Sequence, residues 1–364
     1  MKIKVSKENL SSSLQKVNSI ITSKSSMQIL GNVLIETGEN TLILTTTDLE
    51  IRIQTEIEAE IIEQGKTTLP AKKFYEIVRE LNGEDVLLEL NNNSMSIISA
   101  KAKFKLLGLP HEDFPLPSES ECLRSFSISQ NDFAKSLNLI SYAVNEEDTR
   151  KALNGIFLSV DSEKITSVAT DGRRLALVEK SIEDFSGENG GIIIPVKTAH
   201  ELSKLLGKTG KVKVEIGDSL VTFILDNSTI ITTKFIDETY PNYRQVIPIS
   251  FSKNIQIPRE PFALALKRVA LVVSEKSFFI RIIVANNTME LSALSTDVGE
   301  SNDIIPIDYD MPEMAASFNP TYLIEPLFRL DCETVTLKMN DGHTPVAMTT
   351  EDGFLYVIMP LRNK

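Results

Sequence analysis

General acid–base chemistry near neutrality would fall first to histidine, and the chain has three: His111, His200 and His343. They lie in different thirds of the 364 residues, with no spacing that would let two share a proton or a metal ion. Gly172-Arg173-Arg174 has the small, basic character of a phosphate loop but lacks the Lys-Ser/Thr pair that would complete one. The two cysteines, Cys122 and Cys332, are far apart; they make no zinc set and point to a reducing compartment. Asp48, Asp171 and Asp297 invite a metal-site reading, yet each ends a strand-like stretch, where aspartate commonly forms turns. Glu146-Glu147-Asp148 reads as a solvated acidic loop. These residues assemble no nucleophile, base or metal set, so neither catalysis nor a metal or cofactor is expected.

What positions these residues is a repeat. The stretches Leu42–Asp48, Ile165–Asp171 and Glu290–Asp297 all end in Thr-Asp, their aspartates 123 and 126 positions apart. Pro70, Pro195 and Pro320 each follow an extended stretch and open a helical pattern, at intervals of 125 and 125. A third landmark is an amphipathic helix near the start of each third. Its apolar face is Leu10, Leu14 and Val17, then Phe133, Leu137 and Ile140, then Phe262, Leu266 and Val269. Ser6, Ser129 and Pro258–Pro261 stand where those helices begin. Alternating strands joined by turns at Asn91-Asn92-Asn93, Gly217-Asp218 and Asp341-Gly342 close each unit. The expectation is an α+β unit used three times, with domains at 1–123, 124–251 and 252–364.

Composition sets the outer limits. With 42% hydrophobic and 24% charged residues the chain reads as a globular protein, and no apolar run approaches the roughly 18 residues that cross a bilayer. Met1–Ser6 alternates like a strand and carries no apolar leader, so a cytoplasmic protein is expected. The formal net charge of −12 argues against nucleic acid as a partner. The charge is uneven, however. Helix windows at 7–24, 72–81, 130–140, 197–208, 259–276 and 320–330 hold fifteen basic and eight acidic residues, which leaves nineteen net negative charges elsewhere. If the helices share one surface, that surface attracts phosphates without reading base sequence.

The chain resembles the bacterial DNA polymerase III β subunit family, the replicative sliding clamps. The resemblance is carried by Ile29–Leu34, Leu153-Asn154-Gly155, Ala169–Ala176, Tyr240–Arg244, Phe318-Asn319 with Tyr322, and Val357–Arg362, in family order over essentially the whole length. It implies three clamp domains per chain and two chains joined head to tail into a ring, with helices lining a central hole and sheets outside. The ring would encircle double-stranded DNA topologically and tether the polymerase. It would also dock the polymerase α subunit, clamp-loader subunits and repair proteins through short peptides. By motif, the peptide site would use Leu153, Thr170, Gly172, Arg173, Arg174, Leu175, Pro241, Val246, Asn319, Tyr322, Val357, Met359, Pro360, Leu361 and Arg362. Arg174, Arg362 and the Asn319 amide would hold peptide carbonyls or carboxylates. Gln245 departs from the family pattern, as does Ser277-Phe278-Phe279, where either Phe278 or Phe279 would reach the pocket.

The DNA-facing residues would be Lys24, Lys72, Lys73, Arg79, Lys135, Arg150, Lys197, Lys204, Lys267 and Arg268, with Arg150 on a loop beside the hole. The ring joint would pack Phe104 and Leu106 on Leu271 and Val272 of a second chain, with Lys101 and Lys103 facing Glu300 and Asp303. Two readings from other classes compete: a monomeric three-repeat ligand-binding or hydrolytic protein, and a peptide-binding scaffold that never meets DNA.

Overall fold

The computed structural model describes residues 1–21, 27–116, 120–226, 228–275 and 278–361. The first repeat runs β1 (Lys2–Ser6), α1 (Lys7–Val17), β2 (Asn32–Thr37), β3 (Thr41–Thr47), β4 (Ile51–Glu58), β5 (Glu60–Glu63), β6 (Lys66–Pro70), α2 (Ala71–Glu80), β7 (Asp85–Asn91), β8 (Ser94–Ser99), β9 (Ala102–Leu107). The second keeps that order: β10 (Arg124–Ser129), α3 (Gln130–Ile140), β11 (Gly155–Val160), β12 (Lys164–Thr170), β13 (Arg174–Ser181), β14 (Glu183–Ser186), β15 (Gly190–Pro195), α4 (Val196–Leu205), β16 (Lys211–Ile216), β17 (Leu220–Leu225), β18 (Thr229–Lys234). The third runs β19 (Lys253–Pro258), α5 (Arg259–Val269), β20 (Ile280–Ala285), β21 (Thr288–Ser295), β22 (Gly299–Pro306), β23 (Met314–Phe318), α6 (Pro320–Arg329), β24 (Thr334–Met339), β25 (Val346–Thr349), β26 (Phe354–Ile358). Among the described residues the third repeat has no counterpart of the short fifth strand.

The helices start where the sequence places their caps. Ser6 Oγ accepts the Asn9 amide at 3.5 Å, and Ser129 Oγ accepts the Asp132 amide at 3.3 Å. Their ends differ from expectation. The windows at 7–24 and 259–276 are too long, because α1 ends at Val17 and α5 at Val269, each running into a single 3-10 turn. Asn18 stops α1 by donating its Nδ2 to the Leu14 carbonyl at 2.8 Å, a local bond that satisfies a helix-end acceptor. The three predicted apolar faces are buried throughout, none of their nine side chains more than 1% exposed. Each such side chain is worth roughly 1.5–3 kcal/mol of burial.

The sheets join across repeats. The ninth strand of the second repeat, β18, pairs antiparallel with the fourth strand of the first, β4, and completes a nine-stranded sheet β14-β10-β16-β17-β18-β4-β3-β2-β6. In the same way β26, the last strand of the third repeat and the counterpart of β18, pairs with β13, the fourth of the second, in an eight-stranded sheet β15-β11-β12-β13-β26-β25-β24-β19. The remaining sheets are β5-β1-β7-β8-β9 and β22-β21-β20-β23.

These joints explain why the chain packs as two compact units rather than three. One unit holds Met1–Ala134, Ile182–Glu188 and Glu201–Phe235, and the other holds the rest. Main-chain hydrogen bonds run through each joint, so half of the middle repeat belongs to a sheet with the first repeat and half to a sheet with the third. Sequence periodicity reports the repeat but not which strand edges meet. The first unit packs α1 and α2 on its sheets, with Phe74, Phe126, Phe133 and Phe223 fully buried; the second does the same with α5 and α6 around Phe262, Phe318 and Tyr356. No helix among the described residues is long and apolar enough to cross a membrane.

Candidate functional site

The Thr-Asp ends of β3 and β12 are turns built by side chains. Asp171 Oδ1 accepts the amides of Arg173 and Arg174 at 2.9 and 3.0 Å. Thr170 Oγ1 accepts the Gly172 amide at 3.0 Å and donates to the Arg174 carbonyl at 2.6 Å. Such a turn needs a residue with positive φ, and Gly172 supplies it at +82°. A Cβ there would also meet the Arg150 guanidinium at 3.2 Å. Gly172→Ala is therefore expected to cost about 1–2 kcal/mol from the left-handed backbone alone, read as a lowered thermal midpoint. An unchanged midpoint would show that the turn relaxes.

Beside this turn lies a cleft of about 60 Å³ lined by Thr170, Gly172, Arg173, Arg174, Leu175, Val246, Val357 and Met359, all within the second unit. All eight were among the fifteen expected peptide-site residues. Leu175 is paired with Val357 across the β13–β26 joint and belongs to an apolar cluster with Val168, Tyr243 and Ala347. Val246 and Met359 are 41% and 45% exposed, and they offer apolar surface at the rim. The mouth is basic: Arg173 is exposed, and its hydrogen bond to Tyr322 raises its pKa further.

Arg174, which lines the cleft as expected, is also bound into the protein behind it. Only 9% exposed, it donates Nε to Asp171 at 3.1 Å, Nη2 to the Tyr142 carbonyl at 2.6 Å and Nη1 to Glu325, with the Tyr322 ring 4.5 Å from its centre. Burial pulls its pKa down, but the neighbouring Tyr356, Glu325 and Asp171 outweigh that, so it stays charged. Three of its five N–H groups are thus engaged inside the protein. Arg174 is a strut that fixes the wall of the cleft it also lines.

The strut depends on a helix irregularity. Pro326 lies inside α6 and has no N–H for the Tyr322 carbonyl; the buried Tyr356 hydroxyl donates to that carbonyl instead, at 2.7 Å. Burial pushes the Tyr356 and Tyr142 hydroxyls well above the usual phenol range, so both stay neutral; the Tyr356 hydroxyl donates to Tyr322, while the buried Tyr142 hydroxyl meets no acceptor among the described residues.

The other expected peptide-site residues are placed differently. Leu153 is 1% exposed and belongs to the core. Pro241 is exposed, Pro360 is buried, and neither lines the cleft. Asn319 caps α6 through Oδ1, accepting the Thr321 amide at 3.0 Å, so half of its amide is already used. Leu361 ties the chain's tail to β23 through a 2.7 Å bond from its amide to the Ser317 carbonyl. Tyr322 contributes through its ring under Arg174. Arg362 lies outside the described residues, as does Ser277. Phe278 and Phe279 meet edge to face at 6.5 Å and do not line the cleft.

Sequence reasoning missed Tyr142, Asp171 and Glu325 as supports, and it gave Arg150 another task. Arg150 packs on the Gly172 turn and forks onto Asp148 at 2.9 and 3.0 Å, a side-chain hydrogen bond that holds the Asp148 carboxyl well below the usual range. That position lies on a loop, as expected, and against the turn that borders the cleft. The Asp-x-Arg spacing was the available signal.

Of the other basic residues proposed from sequence, Lys24 lies outside the described residues. Lys72, Lys73, Arg79, Lys135, Lys197, Lys204, Lys267 and Arg268 are all exposed. Several are partnered: Lys73 with Glu76, Arg79 with Glu80, Lys204 with Glu201, and Arg268 with Asp303 at 2.6 Å. The last pair is a correction, since it spends within one chain two charges expected to face different partners. The Phe104 and Leu106 side chains sit on β9, an outer strand of its sheet, with Phe104 40% exposed. Lys101 and Lys103 are exposed beside them. Glu300 and Asp303 sit on β22, the outer strand of another sheet, while Leu271 is 80% exposed and Val272 half-buried on the turn after α5.

Three models of the DNA polymerase III beta subunit match the chain: the N-terminal domain over residues 1–118, the central domain over 127–242 and the C-terminal domain over 244–362. A curated beta sliding clamp of Salmonella typhimurium is 30% identical, with all of both chains covered. The solved DNA polymerase III subunit beta of Pseudomonas aeruginosa is 27% identical and superposes with a TM-score of 0.95 over 100% of both chains. A sliding clamp of Bartonella birtlesii solved bound to griselimycin is 30% identical, with a TM-score of 0.90 over 100% of both chains.

Proposed function

This chain belongs to the DNA polymerase III beta subunit family, and from that membership we propose how it closes, what it holds and where its partners dock. It is a sliding clamp, a non-enzymatic processivity factor that tethers the replicative polymerase to DNA. The working form is a head-to-tail homodimer of six repeats around duplex DNA, in the cytoplasm.

The observation that carries this reading is the order of strands at the joints. A fourth strand meets the last strand of the next repeat twice within the chain, at β4–β18 and β13–β26. One last strand, β9, and one fourth strand, β22, are left on outer edges. Pairing β22 of one chain with β9 of another repeats the same joint and covers two edges that would otherwise invite aggregation. Lys101, Lys103 and Lys105 beside Phe104 are complementary to Glu300 of a neighbouring chain, which favours head-to-tail closure over head-to-head.

DNA would be held topologically, by exposed Lys72, Lys135, Lys197 and Lys267 rather than by base contacts. The cleft at Leu175, Val246, Val357 and Met359 would take short apolar peptides of the polymerase α subunit, clamp-loader subunits and repair proteins, with Arg173 at its mouth. The test is retention on DNA after loading by a clamp loader. The protein should stay on nicked circular duplex at high salt and run off within minutes once the circle is linearised. Equal loss from circular and linear DNA would sink the ring.

A further inference from the structure

The two joints inside the chain are alike down to single hydrogen bonds, and the first joint also has a cleft. Thr47 Oγ1 accepts the Leu49 amide at 3.1 Å and donates to the Ile51 carbonyl at 3.0 Å, while Asp48 Oδ1 accepts the amides of Glu50 and Ile51 at 3.0 and 2.8 Å. This is the Thr170–Arg174 turn again, 123 positions earlier. Leu49 takes the left-handed backbone of Gly172, with φ of +79° against +82°, a conformation uncommon for a leucine. The cleft beside it has a volume of about 320 Å³ and includes Leu49, Ile51, Arg52, Leu116, Thr232 and Lys234 in its wall, all in the first unit.

The two clefts differ in one strand pair. Leu175 faces Val357 across the second joint; at the same place in the first joint Arg52 faces Thr232. Arg52 is poorly served there. Its Nη2 donates to the neutral Gln54 Oε1 at 2.8 Å, and its Nε is buried with no acceptor. Burial also holds its pKa below the ordinary arginine value. The side-chain acceptor of this cation is thus a neutral amide, and a carboxylate bound at the guanidinium's outer N–H groups would form a stronger, charge-assisted bond. Beside it Leu49 and Leu116 are 48% and 62% exposed. Lys234 adds a second cation to the wall and Glu50 one carboxylate, so the wall carries a net positive charge.

We propose that this first-joint cleft is a second docking site, for a short segment of a partner protein that carries one carboxylate between aliphatic side chains. The carboxylate bonds Arg52, and the aliphatic groups cover Leu49 and Leu116. The Leu175 cleft is apolar at the equivalent position, so the two sites read different peptides.

The test uses the full-length protein with labelled Ile, Leu and Val methyl groups, titrated with N-acetyl-Leu-Asp-Leu-amide and, separately, N-acetyl-Leu-Asn-Leu-amide. The Asp peptide should give saturable shifts at the Leu49, Ile51, Leu116 and Leu220 methyls and bind about tenfold more tightly than the Asn peptide, as a charge-assisted bond to a desolvated guanidinium requires. Arg52→Gln should bring the two peptides to the same weak affinity. Leu116→Glu, on an exposed loop where folding is not at stake, should also weaken the Asp peptide about tenfold by like-charge repulsion. Shifts confined to Leu175, Val246 and Val357, no saturable shift at all, or an Asp preference that survives in either variant would overturn the proposal. The clamp reading would stand in each of those cases, because its retention assay does not involve this cleft.

Discussion

Leu271→Asp should convert the protein from a species of twice the 40.5 kDa chain mass into a 40.5 kDa monomer at micromolar concentration. Leu271 is 80% exposed in the single chain, so its own fold does not need that side chain. In the proposed ring it packs on Phe104 of the neighbour, and burial of a large apolar side chain contributes roughly 1.5–3 kcal/mol. Head-to-tail closure of two chains creates two identical joints, so one substitution acts twice. The expected loss is about 3–6 kcal/mol, or two to four decades in dimer affinity, and more once a carboxylate is forced against apolar surface. Sedimentation at micromolar and nanomolar concentrations reads this directly, and retention on circular DNA should vanish in parallel. The unfolding midpoint of the isolated chain should not move. A dimer that survives Leu271→Asp would place the contact elsewhere and remove the strand-edge argument. A wild-type chain that is itself a monomer would leave the family fold intact but not the closed ring.

The second large effect belongs to Arg174. Its removal leaves Asp171, Glu325 and the Tyr142 carbonyl facing one another without their shared partner. Breaking a buried ion pair from one side typically costs about 3–5 kcal/mol, and Arg174→Ala should lose that much in denaturant unfolding. Lysine should not rescue it, because one ammonium cannot reach three acceptors with the fork geometry of a guanidinium. Peptide affinity at the Leu175 cleft should fall with stability, since the same strut shapes the wall. Val246→Glu separates the two effects: its side chain is 41% exposed, so stability should hold while a short apolar peptide at this cleft loses at least about tenfold in affinity. A loss below about 1 kcal/mol in Arg174→Ala would show that the network is no more than a surface ion pair.

What the sequence shows and what it hides divide along physical lines. The triple period, the capped helices and their buried faces were legible because each rests on interactions within a few residues: Ser6 with Asn9, and Leu10 with Leu14 and Val17. The joints were not. Nothing in β4 or β13 marks it as the strand that pairs with β18 or β26, because backbone pairing uses atoms every residue has. The same holds at the site. The cleft-lining residues were found by family motif, but the bracing of Arg174 was not visible because its partners Tyr142 and Glu325 lie 32 and 151 positions away. Arg150 was read as a loop cation because its packing against Gly172 is invisible in a linear pattern.

The joints also differ in a way that concerns kinetics rather than geometry. The repeats that meet at β4–β18 are joined covalently through positions 108–123 between β9 and β10, and those that meet at β13–β26 through positions 235–252 between β18 and β19. Should either pair of strands part, that leash keeps the edges at a local concentration of order millimolar, and they find one another again before anything diffuses away. The proposed β22–β9 seam between chains would have no leash. Once parted, its rejoining would be bimolecular at that edge unless the other seam held, so dilution, a wedge or a competing strand would act there first. A ring built from one repeated joint would thus contain its own gate, at the joints that no covalent tether spans.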